Sequence, residues 1–496
     1  MPEIRVTFSG LISMGIGLVT VLTGIVFTMI VTRRLSPDEF GAWSLIGTLI
    51  VYAIIIEPII ASWATREIAR DEKSGKTALI SSGIFSIGGI LIFFIASLVI
   101  SDQTTIDQHI LFVAILLVPL MFINRTLTAI NLGSKPHAES YGILAFEIGK
   151  IPMGLILVYF LDLGLEGALY ATILSYFFSI IVLFFHAKEE IKHKINFKFL
   201  KKWLKLSWIP IYPGLATVIM VSDVVVVSIL TGTTVGLAYW ATAFAIASLI
   251  MHAGKISRAV YPKLLQSGKI AYFNENLNLV FYFSIPLFAV AVTFAKPGLF
   301  ALNPIYENGW PIVIFLSIRV FLELMGRIFN TGLVGMDKVD VKDNGTFKKY
   351  IHSSIVHVNN IRLIHQVSYL GIVAVFFYLI TEISQLESII YWSIIAMLVQ
   401  LPFTVYYIYL WKKEYPLKIN KLPILKYIIV AFGMFSLIYF LMEEYLIYEI
   451  EIIKFMPNLL LFVGIGISGY FVLSYIVDKR ARKLINQILN EINPKK

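Results

Sequence analysis

The chain has 496 residues, of which 58% are hydrophobic and 15% are charged, and its net charge is +10. A soluble domain carries about 25% charged residues, so this composition excludes the soluble globular class. The chain contains no cysteine, which excludes disulfides, thiolate metal sites and cysteine nucleophiles.

Apolar stretches separated by short polar segments follow one another from residue 8 to residue 477. A helix crosses the hydrocarbon layer in about 20 apolar residues, so each stretch predicts a membrane span. The predicted fold is an all-α polytopic membrane protein with about 14 transmembrane helices. The predicted spans are 8–32, 41–62, 78–101, 109–133, 139–161, 164–187, 207–230, 236–262, 277–300, 311–335, 361–381, 388–411, 423–443 and 453–477.

Lysine and arginine concentrate in alternate loops between the predicted spans. By the positive-inside rule the basic loops are cytoplasmic, which places both termini inside the cell and requires an even number of spans. We therefore predict a multi-pass protein of the cell membrane. The positive charge faces the anionic inner leaflet, so it indicates no nucleic-acid partner.

An internal repeat predicts two halves. Arg125 in span four and Arg327 in span ten each precede a glycine by eight residues, and a lysine follows shortly in both places. Two six-helix lobes of the same orientation are a common plan of transporters. The basic run between spans six and seven mixes lysines with aromatic residues, as interfacial amphipathic helices do. The predicted organisation is an N-terminal lobe (1–187), a basic cytoplasmic linker (188–206), a C-terminal lobe (207–411), an extra helix pair (412–477) and a basic cytoplasmic tail (478–496).

Three short motifs resemble those of a known family. They are RRLSPDEFGAW at residues 33–43, LGLEGA at residues 163–168, and Asp223 followed by VGLAY at residues 235–239 and YPKL at residues 261–264. They resemble motifs of the prokaryotic polysaccharide and lipid-linked oligosaccharide flippases, within the multidrug/oligosaccharidyl-lipid/polysaccharide exporter superfamily. The resemblance extends to span twelve. It implies two pseudo-symmetric six-helix lobes around a central cavity.

Charged residues inside the predicted spans are the candidate site. Each costs at least about 2.5–3.5 kcal/mol at the bilayer centre unless it faces water or a partner. Arg319, Glu323 and Arg327 recur every four residues and so form one stripe on a helix face. Basic residues predominate, and arginine holds phosphate oxygens in bidentate fashion. The predicted substrate-binding residues, for a diphosphate and its sugars, are Arg125, Arg327, Lys150, Lys255 and Arg319.

The alternative role of these charges is structural, as ion pairs that join helices. For Arg125 and Arg327 we favour substrate contact, because they occupy matching places in the repeat. Glu147 and Glu323 are predicted as ion-pair or coupling residues. Asp223 fits sodium or proton coupling and the role of acceptor for a basic partner equally well.

The predicted function is a flippase that moves a polyprenyl- or dolichyl-diphosphate oligosaccharide from the cytoplasmic to the outer leaflet by alternating access. No nucleotide-binding G-x-x-x-x-G-K-[ST] run and no H-E-x-x-H zinc motif occurs, so we predict a transporter without catalytic residues, metal or cofactor. Ion coupling is left open. The predicted partners are the lipid-linked glycan and membrane lipids, with glycan-assembly enzymes as a further option. The alternatives are a multidrug or cation exporter of the same superfamily and, in another class, a membrane glycan polymerase or ligase.

Overall fold

The computed structural model describes residue 20 and residues 23–104, 106–259, 270–337, 353–380, 383–417 and 421–482, without the side chains of residues 136, 209, 213, 255–259, 272 and 355. Every regular element in these ranges is helical. The predicted all-α class is therefore confirmed.

The predicted number of 14 spans is not confirmed. Among the described residues, eleven helices are long and apolar enough to cross a membrane, or twelve if one bent pair counts as a single span. Helix Trp310–Met336 has 27 residues but carries three charged side chains, and it is not among the eleven. The predicted span 8–32 lies mostly outside the described residues. The count of 14 is thus not confirmed, although the class of multi-pass membrane protein is.

The chain divides into two compact units. The first comprises Met1–Ala238 with Ala374–Ile380, and the second comprises Tyr239–Val373 with Thr381–Lys496. The predicted lobe boundaries stay a prediction.

The described helices of the first unit run in chain order from residue 23 to residue 231. They are α1 (23–34), α2 (Pro37–Ala53), α3 (Pro58–Ile68), α4 (Gly75–Gln103), α5 (Gln108–Ile115), α6 (Leu117–Ser134), α7 (Pro136–Gly154), α8 (Gly164–Ile191), α9 (Phe197–Lys205) and α10 (Trp208–Thr231). A π-helical turn, Leu155–Phe160, extends α7.

The bent pair is α2 and α3, which meet at an angle of 61°. Proline has no N–H group to bond the preceding turn, so Pro58 starts a new helix instead of continuing the old one. The bend places Glu57, the residue before the proline, at the helix break.

The second unit begins within α11 (Val235–Ala247), which continues as a 3-10 helix, Ser248–Ala259. Its other helices are α12 (Ile270–Thr293), α13 (Ala295–Leu302), α14 (Trp310–Met336), α15 (Ser354–Leu379), α16 (Gln385–Glu414), α17 (Lys421–Tyr445) and α18 (Ile452–Val477). The last turn of α15 belongs to the first unit. The segment between the predicted spans 311–335 and 361–381 is shorter in the structure, because α14 ends at Met336 and α15 begins at Ser354, and residues 338–352 lie outside the described residues.

The extra helix pair at the C-terminal end is packed against α12. Buried side chains of α17 and α18, including Phe435 and Phe455, form one hydrophobic cluster with Tyr282 of α12. The Tyr282 hydroxyl lies 3.0 Å from Ser474 Oγ, and the Tyr427 hydroxyl donates to Asp478 Oδ2 at 2.9 Å. Apolar contact and buried hydrogen bonds therefore fix both helices to the second unit.

Candidate functional site

The motif residues that carry the family resemblance join helix ends in the first unit. Ser36 and Glu39 form a capping box at the start of α2, which satisfies free N–H groups of its first turn. Glu39 also accepts a hydrogen bond from the Leu165 N–H at the start of α8, at 3.3 Å. Thr234 donates to the backbone oxygen of Asp38 at 2.9 Å. These contacts explain the motifs at residues 33–43 and 163–168 by packing and capping rather than by chemistry, and the motif at residues 261–264 lies outside the described residues.

The first unit holds a cluster of ionisable residues around Arg125. The Arg125 Nη1 lies 3.7 Å from Glu57 Oε2, so the two residues pair across α6 and the break before α3. The Arg125 side chain is 46% exposed whereas that of Glu57 is 3% exposed. The other oxygen of Glu57, Oε1, is buried without a hydrogen bond among the described residues. The helix-to-helix pairing, which was the alternative role of Arg125, is thus present in the structure.

Glu147 and Lys150 form a second ion pair in the same unit. Lys150 Nζ lies 2.8 Å from Glu147 Oε2, and both side chains are largely buried. Glu147 Oε2 also accepts a hydrogen bond from the Thr23 hydroxyl at 2.7 Å. Tyr176 of α8 is within electrostatic range of both Arg125 and Glu147, so the two ion pairs belong to one cluster. The cluster contains two basic and two acidic side chains.

Asp223 lies on α10. Its side chain is buried, and Oδ1 accepts a hydrogen bond from the Val224 N–H at 2.8 Å. The neighbouring Ser222 hydroxyl accepts one from Tyr52 of α2, also at 2.8 Å. Tyr52 lies within electrostatic range of Asp223. This geometry leaves both predicted roles of Asp223 open.

The second unit holds the predicted stripe on α14. Arg327 Nη2 donates to Glu323 Oε1 at 2.6 Å, and more than half of the Arg327 side chain is exposed. Arg319 is buried, with its guanidinium 5.2 Å from the ring centre of Tyr369 and 5.9 Å from that of Trp240. The two arginines therefore differ: Arg327 reaches the surface of the unit, while aromatic rings lie beside Arg319.

Two residues of α15 join this stripe, and sequence analysis missed both. Arg362 is within electrostatic range of Arg327 and Glu323, and buried His365 is within range of Arg319, Glu323 and Arg362. We call Arg319, Glu323, Arg327, Arg362 and His365 the basic cluster. It contains three arginines, one carboxylate and one histidine.

Glu57 was missed as well, for a different reason from Arg362. Arg362 lies at the start of the predicted span 361–381 and was counted among the basic loop residues that set the topology. Glu57 lies near the end of span 41–62, and its charge within an apolar stretch was the available signal. The side chain of Lys255 lies outside the described residues. The other predicted site residues fall into the two clusters described above or, for Asp223, between them along the chain.

A large apolar cavity also lies in the second unit, between α12, α14 and α17. Its volume is about 920 Å³, and aromatic residues such as Phe281, Phe321 and Phe432 form much of its wall. The polar residues in its lining are few and include Lys296, Ser436 and Tyr439. The wall thus suits an apolar chain more than a sugar or a diphosphate.

Comparison with known proteins gives one relative in sequence and several in structure. The "Putative O-antigen transporter" of Shigella flexneri is 26% identical over 330 residues, which cover 60% of this chain and 75% of that protein. The lipid II flippase MurJ, in an inward closed conformation, matches with a TM-score of 0.70 at 14% identity, over 96% of this chain and 100% of that chain.

An inward-facing multidrug resistance transporter of the MATE family, in the MOP superfamily, matches with a TM-score of 0.60 at 15% identity. This match covers 81% of this chain and 98% of that chain. The chain has the fold of this transporter superfamily. The predicted resemblance is confirmed. No protein-family model matches the chain.

Proposed function

We propose that the protein is a flippase that moves a lipid-linked oligosaccharide from the cytoplasmic to the outer leaflet of the cell membrane, for the synthesis of surface polysaccharide or glycoprotein. The observation that carries this proposal is the sequence similarity to the "Putative O-antigen transporter" over 75% of its length. The fold shared with a lipid II flippase supports it. The carrier lipid would be a polyprenyl or dolichyl diphosphate, and both termini would face the cytoplasm.

In this proposal the basic cluster binds the diphosphate. Arg327 and Arg362 supply guanidinium groups, which are opposite in charge to phosphate oxygens and can donate two parallel hydrogen bonds to them. Glu323 neutralises Arg327 in the empty state and gives way to the incoming anion, whose higher charge competes for the same donor. His365 and Arg319 hold the cluster from its buried side. Arg125, Lys150 and Lys255 remain proposed contacts to the diphosphate or the sugars.

The apolar part of the substrate needs a different surface. Binding an isoprenoid tail at a polar site would cost free energy, because water must leave the polar groups of that site. The tail gains free energy from contact with apolar walls or lipid. The cavity between α12, α14 and α17 is proposed as such a wall, with the rest of the tail in the bilayer. Alternating access, driven by an ion gradient or by the substrate gradient alone, would then carry the head across. Asp223 is the proposed coupling residue if an ion is used.

The test uses full-length protein in liposomes that contain a labelled polyprenyl-diphosphate oligosaccharide. The measured quantity is the rate at which the sugar becomes accessible in the opposite leaflet. We expect Arg327→Gln and Arg362→Gln each to lower this rate at least about tenfold, because a hydrogen bond to a charged group contributes roughly 1.5–3 kcal/mol. Lys192→Gln is the matched control, since Lys192 forms an exposed helical ion pair with Glu189 at 2.9 Å.

The outcomes separate the proposal from its main alternative. Accelerated sugar translocation that the control retains and both arginine variants lose supports the flippase and its diphosphate site. Absence of any translocation, together with uptake of organic cations by the same liposomes, assigns the chain to multidrug export instead. Size-exclusion profiles and thermal unfolding of each variant establish that a lost rate is not a lost fold.

A further inference from the structure

The short helix α9 lies between two membrane helices and therefore close to a membrane surface. Five residues separate its start from the end of α8, and two residues separate its end from the start of α10. Asn196 caps its first turn by accepting a hydrogen bond from the Lys198 N–H at 3.1 Å. The Asn196 N–H in turn donates to Thr77 Oγ1 of α4 at 2.9 Å, which ties the start of the helix to the first unit.

One face of α9 is already occupied by protein. Trp203 is fully buried in a hydrophobic cluster formed by α3, α4, α6 and α8, and Phe199 and Leu200 pack against the same cluster. Lys202 Nζ lies 2.6 Å from Glu67 Oε1 of α3, a carboxylate that is itself buried. Sequence analysis assigned these aromatic residues to the membrane interface. The structure corrects this, because Trp203, Phe199 and Leu200 bind the protein.

The opposite face of α9 is exposed and basic. At 3.6 residues per turn, Phe197, Lys198, Lys201, Leu204 and Lys205 fall within about a third of the helix circumference. All five side chains are exposed, and Phe197 is 63% exposed. The helix contains no acidic residue, and its remaining lysine, which pairs with Glu67, lies beyond the edge of this face. The outer face therefore presents three lysines, with two apolar side chains along one edge.

We propose that the outer face of α9 binds the headgroups of anionic phospholipids at the membrane surface. The lysines contact the phosphates, while Phe197 and Leu204 enter the boundary between headgroups and acyl chains, as apolar residues of interfacial helices do. The packed inner face orients the lysines without cost to the lipid, since α9 is ordered before lipid arrives. This site does not depend on the proposed transport.

The experiment measures lipid binding to the delipidated, full-length protein in detergent by native mass spectrometry. The probes are phosphatidylglycerol, which is anionic, and phosphatidylcholine, which is not. Wild-type protein should bind phosphatidylglycerol more tightly. Replacing the three outer lysines by glutamine should weaken phosphatidylglycerol binding about fivefold per lysine and leave phosphatidylcholine unchanged. The variant is Lys198→Gln with Lys201→Gln and Lys205→Gln.

A control variant removes the same number of exposed positive charges elsewhere. Lys412, Lys413 and Lys421 lie at the end of α16 and the start of α17, and all three side chains are exposed. Their replacement by glutamine should change phosphatidylglycerol affinity less than twofold. Equal loss in both triple variants, or no preference for phosphatidylglycerol in the wild type, overturns the proposal.

Two further measurements distinguish a lipid site from a site for any anion. Phe197→Ser with Leu204→Ser keeps every charge and should weaken binding of both lipids, which separates insertion from simple charge attraction. Soluble glycerol phosphate, which carries the headgroup phosphate without acyl chains, should fail to compete. Competition by glycerol phosphate at the concentration of the lipid overturns the assignment to lipid.

Discussion

The pair formed by Arg125 and Glu57 allows a structural role and a substrate role to be separated. Removing the arginine leaves the Glu57 carboxylate, which is 3% exposed, without its partner. Loss of one partner from a fully buried ion pair costs about 3–5 kcal/mol. Because the Arg125 side chain is 46% exposed, we expect Arg125→Met to cost less, about 2–3 kcal/mol of folding free energy.

Removing the other partner should cost much less. In Glu57→Gln the guanidinium of Arg125 reaches water, so the expected loss is below about 1 kcal/mol, as for an exposed pair. The double variant, Arg125→Met with Glu57→Gln, leaves no unpaired buried charge at this pair. It should therefore recover most of the stability that Arg125→Met loses. Thermal unfolding of the four proteins in one detergent gives the coupling between the two sites.

Translocation by the same four proteins then decides the role of Arg125. If the arginine contacts the diphosphate, the double variant is stable but moves lipid-linked sugar at least about tenfold more slowly than wild type. This is the result that we expect from the proposed site. A double variant with wild-type translocation would refute the substrate role and leave Arg125 as one half of a helix-to-helix contact. Equal destabilisation by both single variants would refute the reasoning from burial.

Two further predictions concern packing in the first unit. Gly41→Ala should lower the apparent unfolding temperature sharply, because a β-carbon there overlaps the backbone oxygen of Thr234. Gly47→Ala is the control on the same helix: its β-carbon meets no atom, so the change should be neutral or stabilising. Lys202→Met should destabilise the protein by about 1–3 kcal/mol, because it leaves the buried Glu67 carboxylate without its ion-pair partner. The double variant Lys202→Met with Glu67→Gln should recover most of that stability in the same thermal assay.

The fold class follows from apolar stretches whose length matches the bilayer, a constraint that is local in sequence. The ends and bends of the helices were harder to predict from the sequence than the fold class. The bend between α2 and α3 depends on Pro58, but a proline in an apolar stretch also occurs in helices that only kink, so the sequence alone does not give an angle. Similarly, α9 was expected as an amphipathic helix, and the helix is confirmed. Which face binds protein depends on the tertiary environment of Trp203.

The candidate site was predictable to the extent that its residues interact along one helix. The pair of Arg327 with Glu323, and that of Lys150 with Glu147, have spacings of four and three residues, which helix geometry alone brings together. The partners of Arg125 and Arg362 lie on other helices, at sequence distances where spacing carries no information. Glu57 is the clearest case, because the acid that pairs with Arg125 is 68 positions away in the chain.

The burial of the carboxylates paired with Arg125 and Arg327 bears on how readily each arginine can bind a substrate anion. In the first unit each basic residue of the cluster has its own carboxylate, so the cluster is neutral and its desolvation cost is offset within the protein. In the second unit Arg327 pairs with Glu323, whose side chain is 19% exposed, against 3% for Glu57. An anion that displaces Glu323 from Arg327 leaves a carboxylate that reaches water, whereas one that displaces Glu57 from Arg125 leaves a buried carboxylate without its arginine. The net free energy available for binding a diphosphate is therefore larger at Arg327 than at Arg125. On this argument Arg327→Gln should raise the substrate concentration needed for half-maximal translocation more than Arg125→Gln does.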